Sequence, residues 1–216
     1  LFQYSSSPSL IAFESPPLTI PPKDDNPSIL NTKGFPNKLI LLGGLSDGPL
    51  PCPYTSSLEQ KCHELGWSLV QPILSSSYLG FGHGSLSRDT GEICKLMNYL
   101  VCHHDAEKFA LVGHSTGCQN SIHFLKHGEK DLIDRVSACV LQAPVSDRES
   151  QTLSPGDHAK HLTYAKQLVS QNKGEDFMPR ESFWAPISAS RYVSLFDIGG
   201  DDDFFSSDFL DAELLE

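Results

Sequence analysis

The stretch KFALVGHSTGCQNSIHFLKHG, residues 108–128, decides the fold and raises the functional question. An apolar run ends in Gly113-His114-Ser115-Thr116-Gly117, and a pattern typical of an amphipathic helix follows directly. In the G-x-S-x-G pattern a serine sits on a sharp strand-to-helix turn, where glycines let backbones approach closely. The pattern alone is weak, but a strand before it and a helix after it are the context that supports it. We interpret Ser115 as a nucleophile, with a turn-forming or helix-capping role as the alternative.

Apolar runs and helix-like segments alternate four times along the chain. Four runs are typical of buried parallel strands: KLILLGGL (38–45), WSLVQPIL (67–74), KFALVGHS (108–115) and RVSACVLQAPV (135–145). Helices are predicted within residues 54–67, 85–105 and 115–128, the first capped by Thr55 or Ser56. The alternation predicts an α/β fold, a mostly parallel sheet with helices on both faces. Upstream, SLIAFE (9–14) is predicted as an edge strand, and the proline-rich stretch 15–28 as a loop.

Length and composition limit the class of protein. A chain of 216 residues suits a single domain, and a formal net charge of −11 argues against nucleic acid or an anionic membrane as partner. Six scattered cysteines without a C-x-x-C pair favour a reducing, cytoplasmic compartment. No apolar run approaches the roughly 18 residues of a membrane span. Neither a metal nor a cofactor is predicted, since the histidines are scattered and the loop at 77–86 lacks the phosphate-loop pattern.

A second glycine-rich stretch supports the nucleophile interpretation. LLGGLSDG, residues 41–48, ends the first strong strand. In hydrolases with this serine turn, the loop after that strand gives one backbone N–H of the oxyanion hole, and the residue after the nucleophile gives the other. We therefore expect Leu45, with Gly44 beside it, and Thr116 to be the donors. A plain strand-ending turn is the alternative.

These stretches, with SSYLGFGHGSLSRDTGEI, LQAPVSDRE and GGDDDFFSSD, resemble the α/β-hydrolase superfamily. More closely, they resemble a fungal and plant family that includes siderophore esterases acting on fusarinine-type siderophores. The resemblance runs from about residue 39 to 208. It implies a serine hydrolase acting on a small-molecule ester, with siderophore-type esters among the candidate substrates. The alternatives are a non-catalytic hydrolase-like protein that binds a ligand or partner, and a thioesterase or acyl transferase.

The resemblance also implies parts that this sequence lacks. The family continues with two further strands, whose loops give the triad acid and then the histidine. The chain is thus expected to be an incomplete α/β-hydrolase domain over residues 1–216, with its last strands missing, and to be nearly inactive alone. Asp147 is a candidate acid, with a turn-forming or capping role as the alternative. His158 and His161 are interpreted as solvated helix histidines.

Residues 148–208 occupy the position of a cap or insertion, called the cap segment below. Its aromatic residues could line a wall above Ser115 or pack the cap onto the sheet, and Trp184 and Tyr192 are the candidates for substrate binding. Arg191 could bind a substrate carboxylate or pair with an aspartate. Asp201, Asp202 and Asp203 are interpreted as an exposed acidic loop rather than a cation site.

Overall fold

The computed structural model describes residues 1–15, 34–151 and 154–208. Within these ranges the strands are β1 (Phe2–Ser6), β2 (Ser9–Ser15), β3 (Asn37–Leu42), β4 (Trp67–Ile73), β5 (Lys108–His114) and β6 (Val136–Gln142). The helices are α1 (Thr55–Glu64), α2 (Leu86–His103), α3 (Gly117–His127), α4 (Lys130–Ile133), α5 (Asp147–Ser150), α6 (Pro155–Ser170) and α7 (Ala189–Phe196). Two 3₁₀ helices, Tyr78–His83 and Arg180–Ser182, complete the described elements. The predicted proline-rich loop lies, apart from Ser15, outside the described residues.

The described strands form one sheet in the order β1-β2-β4-β3-β5-β6. The pairs β4–β3, β3–β5 and β5–β6 are parallel, and β1–β2 and β2–β4 are antiparallel, which confirms the predicted mostly parallel sheet. Leu42 of β3 lies opposite Gly113 of β5, so these strands end side by side. The loops that follow them, which carry Leu45 and Ser115, therefore leave the sheet at the same edge.

Alternating side chains of the strands face two different hydrophobic clusters. Ile40 and Leu42 pack with α2 and α3 on one face, whereas Leu41 packs with Cys62 of α1 on the other. Successive side chains of a strand point to opposite faces, so a run of four apolar residues covers both. Helices on both faces are thereby confirmed. Burying each such side chain stabilises the fold by about 1.5–3 kcal/mol.

Residues of the cap segment form a third, separate hydrophobic cluster. It joins α6, α7 and the chain between them, and its buried members are Ala165, Leu168, Met178, Ile187, Ala189, Tyr192, Leu195 and Phe196. Leu168 lies on the apolar face of α6 and Leu195 on that of α7, and both faces contribute to this cluster. The cap segment therefore has its own packing and does not depend on the sheet for all of its buried surface.

Three local predictions are wrong. SLIAFE forms β2, but β2 is an interior strand, because the polar stretch Phe2–Ser6 pairs outside it as β1. Neither Thr55 nor Ser56 caps α1. Tyr54 occupies that position without a side-chain hydrogen bond, and Thr55 Oγ1 donates instead to the Cys52 carbonyl at 2.7 Å. His161 is buried rather than solvated, because α6 packs against α7.

All six cysteines are free thiols. None of the helices in the described ranges is both long and apolar enough to cross a bilayer. The same residues contain no group of three or more His, Cys, Asp or Glu side chains arranged to hold a metal ion.

Candidate active site

Ser115 occupies a strained turn between β5 and α3. Its φ is +51°, in the left-handed region that side chains with a Cβ rarely adopt. Two backbone hydrogen bonds hold this conformation. The Ser115 N–H donates to the Gln142 carbonyl at 3.0 Å, and the Cys118 N–H donates to the Ser115 carbonyl at 2.9 Å. The strand, turn and helix predicted around Ser115 are all present, and the turn lifts the serine out of the sheet edge.

Close backbone approach around Ser115 requires glycine at two positions. A Cβ on Gly117 would lie 2.2 Å from the Leu42 carbonyl oxygen at the end of β3. A Cβ on Gly44 would lie 2.9 Å from the Cβ of Ser115. The loop after β3 is therefore in direct contact with the serine turn. This is the arrangement that an oxyanion hole built from both segments needs.

The amides proposed as oxyanion donors differ in their hydrogen bonds. Gly44 N–H already donates to Asp47 Oδ2 at 2.7 Å, and Asp47 N–H returns a bond to the Gly44 carbonyl at 3.0 Å. The N–H groups of Leu45 and Thr116 donate to no acceptor within the described residues. Leu45 and Thr116 thus have N–H groups available for a substrate oxygen, whereas that of Gly44 is engaged in fixing the loop.

None of the nine histidines, all of which lie in the described ranges, forms a hydrogen bond with Ser115 Oγ. His114 is adjacent in sequence, but its Nδ1 bonds to the Gln142 side-chain oxygen, which also accepts from the Tyr54 hydroxyl at 3.1 Å. His158 packs against the rings of Tyr192 and Phe196, with centroid separations of 6.4 and 5.7 Å. His114 and His158 are thus engaged by other side chains in this arrangement.

Asp147 begins α5, immediately after the loop that follows β6. Its Oδ2 accepts a hydrogen bond from Gln119 Nε2 at 3.0 Å, and the same nitrogen donates to the Val145 carbonyl at 2.9 Å. Burial, with a smaller contribution from the negative charge of Asp202, raises the pKa of Asp147 to about 7. The carboxyl group is consequently poised between its charged and neutral forms near neutral pH. No described histidine forms a hydrogen bond with it.

A cavity of about 430 Å³ opens between the cap segment, α5 and the loop after β3. Its lining combines apolar, aromatic and acidic side chains: Leu45, Asp147, Ser150, Gln151, Glu181, Ser182, Phe183, Trp184, Tyr192 and Phe196. Tyr192 and Trp184, the predicted substrate-binding aromatics, are both in this wall. Ser115 is not part of the lining, but Leu45 is, and Leu45 belongs to the loop that contacts Ser115.

Arg191 does not line this cavity. Its guanidinium binds Asp202 through two hydrogen bonds of 2.5 and 3.0 Å, and both side chains are buried. Of the two roles left open by the sequence, the structure thus shows the pairing with an aspartate. The interpretation of residues 201–203 as an exposed loop is wrong for Asp202 and Asp203, because Arg191 and Arg148 neutralise them in the interior. Asp201 alone is exposed.

Comparison with known proteins places these features in a family. Residues 26–216 match the family described as "Protein of unknown function (DUF1749)". The chain belongs to the DUF1749 family. It is 39% identical over 182 residues to a UPF0613 protein of Schizosaccharomyces pombe, a match covering 79% of this chain and 57% of the relative. It is 30% identical over 230 residues to the fusarinine C esterase sidJ of Aspergillus fumigatus, covering 83% of this chain and 64% of sidJ.

A solved structure resembles this DUF1749 chain along nearly its whole length. It is the siderophore hydrolase EstB of Aspergillus fumigatus, with a TM-score of 0.68 and 26% identity, covering 97% of this chain and 68% of EstB. The likeness confirms the α/β-hydrolase fold and the suspected relation to siderophore esterases. The matched regions nevertheless span only 57% and 64% of the lengths of the two curated relatives.

Sequence reasoning missed three residues of the DUF1749 site. Asp47 fixes the loop after β3, and its Asp-Gly pair in LLGGLSDG is a turn signal that could have indicated this role. Gln151 and Glu181 line the cavity. They lie 30 residues apart in the cap segment, and no sequence pattern brings them together.

Proposed function

We propose that the protein is a serine esterase that hydrolyses carboxylic esters through an acyl-enzyme. The observation that carries this proposal is Ser115 in a left-handed turn, in contact with a loop whose Leu45 amide, like that of Thr116, has no protein acceptor among the described residues. A nucleophile next to N–H groups without protein acceptors is an arrangement suited to acyl transfer.

The proposed reaction has two steps. Ser115 Oγ attacks the ester carbonyl while a base takes its proton, and the developing oxyanion accepts hydrogen bonds from Leu45 and Thr116 N–H. The tetrahedral intermediate collapses, the alkoxide leaves with that proton, and the acyl group stays on Ser115. Water then attacks the acyl-enzyme by the same route and releases the acid. The positive end of the α3 dipole, behind Ser115, favours the negative charge in both steps.

The base in this proposal is a histidine from outside these 216 residues, since none of the nine present forms a hydrogen bond with Ser115 Oγ. Asp147 is the candidate triad acid within the chain, although it is bound by Gln119 rather than by a histidine. A protein restricted to residues 1–216 should therefore show little hydrolysis. The names of sidJ and EstB suggest a siderophore-type ester as substrate, and the six free thiols fit the proposed cytoplasmic location.

The test is covalent labelling of the folded protein, expressed from its complete coding sequence, with a fluorophosphonate probe. Labelling that is lost in Ser115→Ala and retained in Ser46→Gly supports catalysis by Ser115. Ser46 is a suitable control because it lies near the same site at a φ of +67°, which glycine adopts without strain. If the wild-type protein is folded and takes no label, the esterase proposal is wrong. That result would favour the alternative of a protein that only binds a ligand.

A further inference from the structure

The cavity beneath the cap segment has an unusual charge balance. Two of its lining side chains, Asp147 and Glu181, are carboxylic acids, and four are aromatic: Phe183, Trp184, Tyr192 and Phe196. No lysine, arginine or histidine is among the described residues that line it. Aromatic faces carry partial negative charge, so the rings and the carboxylates both make the electrostatic potential in the cavity more negative. The wall attracts cations and repels anions.

The Tyr192 hydroxyl and the Gln151 side-chain oxygen in this wall have no hydrogen-bond partner within the described residues. Tyr192 is only 1% exposed, and its hydroxyl forms no hydrogen bond within the described residues. The side-chain oxygen of Gln151 is buried and is likewise without a partner there. A buried polar group left unsatisfied costs about 1–3 kcal/mol, so the Gln151 oxygen favours a ligand that occupies the cavity. Because the Gln151 oxygen can only accept, that ligand must carry N–H or O–H donors.

Resting on the esterase function proposed above, we propose that this cavity binds the ammonium group of an amino-bearing ester substrate. An ammonium group supplies three N–H donors and one positive charge on a compact centre. The donors match the oxygens of Gln151 and Tyr192, and the charge matches Asp147, Glu181 and the aromatic faces. Leu45 lies in both the cavity wall and the loop that contacts Ser115, so an ester carbonyl held at Leu45 N–H places the rest of the substrate towards this cavity.

The surroundings of Asp147 make cation binding depend on pH. Burial and the charge of Asp202 raise the pKa of Asp147 to about 7, while Arg191 on α7 acts in the opposite direction. Glu181 lines the same cavity, and Gln119 of α3 donates a side-chain hydrogen bond to Asp147. An ammonium group binds the ionised form of Asp147. With a pKa near 7 that form rises roughly tenfold between pH 6 and pH 8, and binding should strengthen in the same direction.

Binding can be measured without hydrolysis, because Trp184 is in the wall and 55% exposed. The protein from the complete coding sequence is titrated with hexylammonium chloride and with hexanol, following tryptophan fluorescence. We expect hexylammonium to bind at least about tenfold more tightly, as a partly desolvated cation–π and carboxylate site provides. Glu181→Gln and Asp147→Asn should each weaken hexylammonium binding about fivefold or more, and leave hexanol binding within about twofold. Glu175→Gln, exposed and outside the cavity, is the matched control and should change neither. Equal binding of the two ligands overturns the proposal.

Hydrolysis separates this proposal from the esterase function itself. The pair of p-nitrophenyl esters with ω-ammoniohexanoyl and heptanoyl chains differs only in the terminal charge and donors. Glu181→Gln should raise KM for the ammonium ester alone and leave kcat unchanged for both. If neither ester is hydrolysed while hexylammonium still binds in a Glu181-dependent way, the esterase function fails and the cation subsite stands. If Asp147→Asn lowers kcat equally for both esters and leaves hexylammonium binding unchanged, Asp147 is the triad acid and the subsite is wrong.

Discussion

The serine turn at residues 113–117 and the cavity wall of the cap segment are built in different ways. The turn is contiguous in sequence, and its shape follows from local sterics, since Ser115 needs a positive φ and Gly117 must admit the end of β3. The wall is assembled from separate segments, with Leu45 after β3, Asp147 on α5 and Tyr192 on α7. In the proposed function the chemistry is therefore assigned to a strand-to-helix turn, and the selection of a substrate to side chains that meet only in the tertiary structure.

The largest effect should come from the turn. Ser115→Ala in the protein from the complete coding sequence should lower kcat for ester hydrolysis on the order of 10⁴- to 10⁶-fold, because the acyl-enzyme cannot form. Steady-state hydrolysis of a p-nitrophenyl ester measures it. Ser46→Gly is the control and should retain activity. If the Ser115→Ala protein keeps more than a tenth of the wild-type rate, Ser115 is not the nucleophile.

Leu45 belongs to both regions, because its loop contacts the serine turn and its side chain lines the cavity. Two substitutions should distinguish the role of its backbone N–H from that of its side chain. Leu45→Pro removes the N–H and should lower kcat on the order of 100- to 1,000-fold, as loss of one oxyanion donor does elsewhere. Leu45→Ala keeps the N–H and should preserve most of kcat while raising KM, because its side chain lines the cavity. Circular dichroism must show that both variants are folded. A folded Leu45→Pro enzyme with full activity would remove Leu45 from the oxyanion hole.

Substitutions in the cap segment should mainly change the free energy of unfolding. Asp202→Ala leaves the Arg191 guanidinium buried and unpaired, and should lower the free energy of unfolding by about 3–5 kcal/mol. Asp201→Ala is the matched control. Its side chain is exposed and next in sequence, so the change should stay within about 0.5 kcal/mol. Urea denaturation measures both. Equal stabilities for the two variants would mean that the buried pair does not hold the cap segment in place.

The same contrast explains what the sequence could and could not predict. Strands β3 to β6 and the turn at Ser115 follow from continuous apolar runs and from glycines at fixed spacing, which are local signals. β1 was missed because Gln3, Ser5 and Ser6 give no apolar run, and its pairing depends on β2. Asp202 was predicted to be exposed because three consecutive aspartates are usually solvated. Only the tertiary contact with Arg191 makes its burial favourable.

Asp147, at the boundary of the two regions, should give the smallest effect. Its pKa is raised in the folded state to about 7, from 3.8. Below about pH 4 the folded and unfolded states both hold the proton. Between about pH 4 and pH 7 the folded state binds more protons, so the free energy of unfolding falls as pH rises, and above pH 7 this contribution no longer changes. Allowing for partial solvation, the fall due to Asp147 should be roughly 2 kcal/mol, and Asp147→Asn should lack it. Urea denaturation across this pH range compares the two proteins. If the free energy of unfolding depends on pH in the same way for both proteins, Asp147 is solvated and ionised throughout this range. That result would also contradict its burial beside the cavity.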